Sequence, residues 1–294
     1  LIIEASSRVG GRVHTSRDLI NGKPVEFGAS WIHGAQNNPL WSRVTDRMLK
    51  TTSVRKETEV VFDFNGEELT VAALANKDRQ FSDLLAFLEK RRGLMTGDRP
   101  LQDLVEEFIA TRKLNARERR RLAHSTEVAI ANEYAESLSR LSGKNWNVDE
   151  GFQGGDASVI AGLDALFPRG YRIRLNQAVV KIEHREDLVV VTTDRDTYRA
   201  KAVICTVPLT VLKSERIEFV PPLDDSRKAA MGRLGFGKLE KIVLSFPKRF
   251  WPNDTDLFGV MGDDKVWSEW FDYTELLGVP TLIGFTAGLK AEAI

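Results

Sequence analysis

Residues 1–34 read LIIEASSRVGGRVHTSRDLINGKPVEFGASWIHG. Leu1-Ile2-Ile3 is a short apolar run of the kind that forms a buried strand in a parallel sheet. It ends at Glu4, and a polar turn then leads to Gly10-Gly11-Arg12. A carboxylate at the carboxyl end of such a strand sits where dinucleotide-binding folds hold ribose hydroxyls, because strand ends open onto the ligand crevice. Gly10 and Gly11 carry no Cβ, so their backbone N–H groups can approach a ligand closely. Arg12 beside them supplies a fixed positive fork suited to a pyrophosphate.

The second half of the stretch, EFGASWIHG at residues 26–34, sharpens this reading. The run formed by Glu4, Ala5, Arg8, Gly10, Gly11 and Arg12, followed after a gap by FGASWIHG, resembles the flavin-containing amine oxidase family. Within that family WIHG is most similar to the polyamine oxidases. The resemblance implies FAD as cofactor and an α/β fold with α+β elements: a Rossmann-like FAD-binding domain beside a substrate domain of antiparallel sheet plus helices. It also implies oxidation of a C–N bond, with oxygen as acceptor. Carried over residue by residue, Gly28, Ala29 and Ser30 would lie along the flavin, where small side chains permit close approach. Trp31 is open between pocket wall and core.

The glycine-rich G-x-G-x-x-G turn of this fold falls roughly 20 residues before the acidic residue, and the chain begins at Leu1. The family's closing segment, a glycine-containing stretch over the flavin with an aromatic wall of the amine pocket, has no counterpart before Ile294. The expectation is an internal piece of a longer enzyme, with an incomplete FAD domain, that alone binds FAD weakly or not at all. A non-catalytic remnant is the alternative of a different class.

The chain has 294 residues, enough for two domains or parts of two. The expected division gives 1–53 and 151–236 to cofactor binding, and 54–150 and 237–294 to the substrate. Lys+Arg and Asp+Glu both number 42, so the formal net charge is zero, which argues against a dedicated nucleic-acid binder. No apolar run approaches the roughly 18 residues that span a bilayer. The single cysteine, Cys205, excludes an intrachain disulfide and lies in an apolar run, where a buried inert thiol is expected. With four His and one Cys, no metal-ligand cluster assembles at a sensible spacing. An intracellular location, cytoplasmic or peroxisomal, is the expectation.

Along the chain, VVFDF running into Asn65-Gly66 predicts a hairpin over residues 54–69. Helical spacing governs residues 76–141, where Phe81, Leu84, Leu85 and Leu88 recur, as do Leu101, Leu104, Val105 and Phe108. A third helix over 115–138 starts with Asn115 as N-cap and Glu118 completing a box-like start. Its Arg117, Arg119, Arg120 and Arg121 read as a solvated helix face and are left unassigned. Residues 146–155 are turn-rich and predict a domain crossover. Strands are predicted at 171–175, 178–184, 188–193 and 199–206, with 203–209 again a buried strand running into a loop. Asp224 is expected to cap a short helix ending near Leu234, and 257–294 to build a second antiparallel sheet.

In GFGKLEKIVLSFPKRFWP, residues 235–252, one strand face carries Lys241 among apolar neighbours. A lysine there costs desolvation unless it is paired or functional. From spacing alone, an exposed lysine on an edge strand is equally open. The stretch resembles the family segment whose lysine holds a water against the flavin, which implies a catalytic Lys241. His33 resembles a substrate-contacting pocket histidine of polyamine oxidases; a hydrogen-bonded loop histidine is the bland alternative. The segment from Asn176 to Val179 resembles the one that lies against adenine, so Val179, Thr206, Val207 and Pro208 become implied cofactor contacts. Read without the resemblance, Val179 is plain core.

The expected activity is FAD-dependent oxidation of a small-molecule polyamine by O2, giving an aldehyde, a shortened amine and hydrogen peroxide. A histone-lysine demethylase or another amine oxidase of the same family is the alternative. Against the demethylase stands the compact helical region, which has no long heptad insertion.

Overall fold

The computed structural model describes residues 1–54, 58–146, 155–262 and 266–294. Helices and small open sheets alternate along the chain. Backbone contacts divide it into two compact units, residues 1–12 with 167–236, and residues 13–166 with 237–294. Residues 13–53 therefore pack with the helices and the large sheet.

In the first unit Ile2–Ile3 pairs in parallel with Ile173–Arg174. The strand at the N-terminus is thus present, but it is not buried: Leu1 is 64% and Ile2 40% exposed. A two-stranded ladder leaves its faces open. A four-stranded sheet follows in the order Thr197–Ala200, Val189–Thr193, Val179–His184 and Glu218–Val220. The first three strands form an antiparallel meander, and the last runs parallel to Val179–His184. Asp224 caps the Asp225–Arg233 helix through Arg227 N–H at 2.8 Å, as its residue type predicts.

Residues 203–209 depart from expectation. Among the described residues no strand pairs with 203–206, and an extended segment without a ladder partner is not a strand. Ile204 is 90% exposed and Cys205 is exposed, so the thiol is not the buried inert group the apolar run suggests. Pro208 stands at the N-cap of the short helix Leu209–Lys213.

In the second unit, the helix Val71–Leu94 starts five residues before the periodicity begins, because Thr70 Oγ1 accepts from Ala73 N–H. It packs Leu84 and Leu88 against Leu101, Leu104 and Phe108 of Leu101–Thr111. Asn115 and Glu118 form the reciprocal capping box of Ala116–Thr126. The helix continues as a π turn, Glu127–Asn132, and helical backbone ends by Ala135, which has φ 55°, earlier than residue 138. The carbonyl of Ala135 leaves no room for a side chain at residue 237, since a Cβ on Gly237 would lie 2.0 Å from it. Much of the predicted crossover, residues 147–154, lies outside the described residues.

The large sheet runs Leu239–Ser245, Thr281–Ala287, Glu269–Asp272, Leu257–Val260 and Glu59–Phe62. All its pairings are antiparallel except the last, which is parallel. The predicted hairpin is accordingly reduced. Asn65-Gly66 turns the chain, but the returning arm makes only the Phe62–Glu68 bridge, and Glu59–Phe62 finds its ladder on Leu257–Val260. The π turn ties the helices to this sheet: Ser268 Oγ and Lys290 Nζ donate to Glu127, and Asn132 Nδ2 donates to Glu269.

The arginine-rich helix start has a partner that the sequence reading lacked. Asp63, 2% exposed, accepts from Arg117 Nε at 2.7 Å, Arg121 at 2.6 Å and Phe64 N–H at 2.9 Å, and Arg120 lies 3.5 Å over the Phe64 ring. Arg117 and Arg121 are thus fold-holding groups rather than a merely solvated face. Burial alone would raise the Asp63 carboxyl, but these hydrogen bonds outweigh it and hold it below the usual range. Removing one partner of a buried ion pair leaves the others uncompensated. Asp63→Ala is expected to lower unfolding stability by about 3 kcal/mol in a urea titration. A loss below about 0.5 kcal/mol, the scale of a surface substitution, would show that the carboxylate does not hold the two elements together.

Candidate active site

The site-bearing segment of the second unit is residues 26–34. Its strand Val25–Glu26 pairs with Thr15–Ser16, which buries Glu26 to 7% exposure. Beyond it the backbone turns across the strand that carries Lys241. The Nζ of Lys241 donates to Glu26 O at 3.0 Å, Gly28 O at 2.6 Å and the Ser30 hydroxyl. An ammonium has three N–H donors, and these three acceptors match them. The fourth approach is apolar, with the Phe285 ring centroid 5.2 Å from Nζ. Phe285 stands directly opposite Lys241 in the ladder.

Leu239–Ser245 is an edge strand, as one sequence alternative held, yet its lysine is not a solvated edge charge. The stem is half-buried and the ammonium at its tip is enclosed. Burial lowers Lys241 to about 8, with the Glu26 carboxylate partly opposing the shift. Burial likewise raises Glu26, against hydrogen bonds from Leu163 N–H at 2.6 Å and from Thr15 Oγ1.

Trp31 packs against the core of the second unit. Its ring packs 5.0 Å from Phe271 and 5.9 Å from Phe285, and its Nε1 donates to the buried Tyr273 hydroxyl. Burial raises Tyr273 well above the usual phenol range. On its other side Trp31 meets His33 edge-on at 5.9 Å. His33 Nδ1 lies 3.0 Å from Asp156 Oδ1. Lys241, Phe285, Trp31 and His33 thus form a continuous series of contacts on one unit, with Gly28 and Ser30 at its lysine end. Ala29 is exposed beside them.

The first unit holds the remaining predicted residues. The Glu4 carboxylate at the end of Ile2–Ile3 accepts from Ser6 N–H at 2.8 Å and Ser6 Oγ at 2.5 Å. Arg8 folds its guanidinium onto Gly11 O at 2.8 Å. Gly10 and Gly11 have φ 104° and 53°, a region that favours glycine, and a Cβ at Gly11 would meet nothing within 4 Å. Ala5 and Arg12 are exposed on the same turn. A carboxylate at a strand end, a guanidinium and an unobstructed glycine backbone are the donor set a ribose and pyrophosphate require, so these residues fit a dinucleotide. Asn176 N–H donates to Ser6 O at 2.9 Å and Gln177 N–H to Glu4 O at 3.0 Å, and Val179 follows two residues on, paired with Thr193. Thr206 and Pro208 are exposed, and no hydrogen bond joins them to it.

Sequence reasoning assigned no role to Glu26, Asp156, Tyr273 or Phe285. Glu26 was the most accessible of these, an acid inside the otherwise apolar PVEFG. Asp156 carried no local signal.

The profile of the family of flavin-containing amine oxidoreductases matches residues 1–294, and the chain belongs to that family. It is 31% identical to polyamine oxidase 4 of Oryza sativa subsp. japonica over 312 residues, covering 100% of this chain and 63% of that protein. It is also 31% identical to lysine-specific histone demethylase 1 homolog 2 of Arabidopsis thaliana over 314 residues, covering 99% of this chain and 41% of that protein. The chain therefore spans less than two thirds of the length of these relatives. Among solved structures it superposes on a putrescine oxidase redesigned in its cofactor binding with TM-score 0.73 at 23% identity, covering 99% of this chain and 70% of that one. That likeness establishes the fold.

The enclosed ammonium makes a direct expectation. The Lys241 Nζ resonance, followed by NMR, should titrate near 8, and Glu26→Gln should move the midpoint lower, because removing an anion loosens the proton. As the folded value lies below the unfolded one of about 10.4, the cost to stability is full below about 8 and fades as pH rises toward the unfolded value. A midpoint near 10.4 in the folded protein would contradict the enclosure.

Proposed function

We propose that the protein is an FAD-dependent amine oxidase acting on a polyamine. A C–N bond is oxidised with O2 and water, giving an aldehyde, a shortened amine and hydrogen peroxide. The observation that carries this reading is the enclosed Lys241, beside an aromatic wall, on the segment 26–34 that defines the family resemblance. In the first unit Glu4, Arg8, Gly10, Gly11 and Arg12 would hold a ribose and pyrophosphate, with Val179, Thr206 and Pro208 implied on the adenine side; in the second unit the family resemblance implies flavin contacts at Gly28, Ala29, Ser30 and Trp31. When bound, the flavin supplies the two-electron acceptor for the amine.

The chain's own residues do the rest. Phe285, backed by Trp31 and Phe271, covers one side of Lys241 and keeps water from it, which strengthens the charges that remain. With a midpoint near 8, Lys241 can exist as ammonium or amine near physiological pH, so it can exchange a proton without a large energetic penalty. His33 supplies a second polar group at the other end of the wall, suited to contact the amine.

A second reading keeps the chemistry and changes the substrate to a peptide methyl-lysine. The equal identity to a polyamine oxidase and to a histone demethylase homolog supports retaining it. WIHG at residues 31–34 and the compact helical region favour the small amine.

Oxygen consumption separates the two. The product of the intact gene is expected to consume O2 and release peroxide with spermine or spermidine, and not with a methyl-lysine histone peptide. Lys241→Met is expected to slow turnover by at least about 100-fold, the scale of a lost general acid–base or water-holding group, while the flavin stays bound. Turnover with the peptide alone would overturn the polyamine assignment, and an unchanged rate in the lysine variant would overturn the role of Lys241.

A further inference from the structure

Ser30, whose hydroxyl accepts from Lys241, also lines a small, largely enclosed space in the second unit. The volume of that space is about 10 Å3, close to what one water molecule needs. Val25, Leu277 and Ile283, each 1% exposed, close its apolar part. Glu26, Ser30, Ser158 and Tyr273, all buried, supply its polar part. Four buried polar side chains around one space are costly unless they bond to each other or to a water.

Hydrogen bonds connect this lining to Lys241. The ammonium donates to Ser30 Oγ, and the Tyr273 hydroxyl bonds to both Ser30 and Ser158. Trp31 Nε1 donates to the same hydroxyl. A phenol has one hydrogen and two lone pairs, so these three partners fill it and fix its place. Ser158 is held by the strand Ala157–Val159, which pairs with Thr51–Ser53. Hydroxyls both donate and accept, so Lys241, Ser30, Tyr273 and Ser158 make a series along which a proton can pass. The Glu26 carboxylate accepts from Thr15 Oγ1 with both oxygens and from Leu163 N–H at 2.6 Å, which uses three of about four lone-pair positions. The charged groups that reach it are Lys241 and Asp164, and Asp164 is itself engaged by Arg17 at 2.7 Å. A water in the space would join Ser158 to Glu26.

Resting for its purpose on the amine oxidase reading, we propose that this space is a water site and the proton exit of Lys241: Ser30, Tyr273 and Ser158 relay the ammonium proton to one held water, and Glu26 receives it. At the lysine an N–H bond breaks and leaves a neutral amine. Each hydroxyl takes the arriving proton and gives up its own, the water does the same, and an O–H bond forms on the Glu26 carboxylate. No electrons move. An ammonium–carboxylate pair becomes an amine and a carboxylic acid, so the pair carries no net charge before or after, which suits a place that bulk water does not screen. Burial raises Glu26 and lowers Lys241, which narrows the gap between the two forms. Tyr273, whose hydroxyl burial raises, stays protonated throughout, because it takes one proton as it gives another. Exchange of the held water with bulk carries the proton out.

The test follows solvent exchange of the Lys241 ammonium hydrogens by 15N NMR, which needs no turnover, with kinetics of the intact-gene product beside it. Tyr273→Phe keeps the ring and removes the middle hydroxyl. Exchange is expected to slow at least about tenfold, a modest part of the roughly 100- to 10,000-fold that a positioned proton transfer is worth. Because that variant also loses the Trp31 bond, Ser158→Ala is the second: it leaves that bond in place and should slow exchange as well. In turnover both variants should lower kcat, leave KM for spermine within about twofold, and enlarge the effect of D2O on kcat, since proton transfer then limits. A lowered kcat with an unchanged D2O effect is the mark of a structural role alone and would overturn the relay. Exchange at the wild-type rate in both variants would overturn the proposal, as would a high-resolution crystal structure with no ordered water in the space. If the wild type oxidises no amine, the oxidase reading falls and ammonium exchange decides the path alone: slowing in both variants supports it, and an unchanged rate overturns it.

Discussion

One ammonium group organises the site-bearing unit. Lys241 sits on the edge strand of the large sheet, and the segment 26–30 closes over it with two carbonyls and a hydroxyl. A charge withdrawn from water is tolerated only when its donors are satisfied and a counter-charge stands near. Here the three acceptors provide the first and Glu26 the second. The same arrangement explains why Glu26 is itself buried, since its carboxylate is held by Thr15 and the Leu163 N–H. Strand, segment and carboxylate are therefore mutually dependent, and the lysine is left with a loosely held proton.

From that point the packing extends in one direction through aromatic rings. Phe285 faces Lys241 across the ladder, Trp31 packs on Phe285 and Phe271, and His33 lies against the edge of Trp31. The Trp31 Nε1 bond to Tyr273 gives a half-buried indole the partner it needs, so its orientation is fixed rather than adjustable. Behind the sheet, the π turn Glu127–Asn132 offers Glu127 and Asn132 to Ser268 and Glu269, which are consecutive residues leading into the strand Glu269–Asp272. The helices are thereby joined to the sheet by polar contacts as well as by apolar burial.

The sequence made some of this legible, and the reasons are physical. Asn115 with Glu118, Asp224 and Asn65-Gly66 act through bonds within three residues, so local chemistry was sufficient to place them. Lys241 was visible because a cation among apolar strand residues conflicts with simple burial. What it binds was not, since its acceptors lie more than two hundred residues away in sequence. The same limit hid Asp63 behind Arg117 and Arg121, and Asp156 behind His33. Residues 203–206 misled for a related reason: an apolar β-branched run states a preference for a ladder, while the ladder itself depends on a neighbouring strand. Cys205 inherited that error.

The central claim is that a flavin held by this chain's family residues accepts electrons from a small amine. The most direct measurement is the visible spectrum of the protein purified from the intact gene, taken before and after anaerobic addition of spermine. The account requires an oxidised-flavin band that bleaches on mixing and returns when oxygen is admitted. A flavin band that spermine leaves unchanged would contradict the polyamine assignment, and a protein that carries no flavin at all would contradict the enzyme.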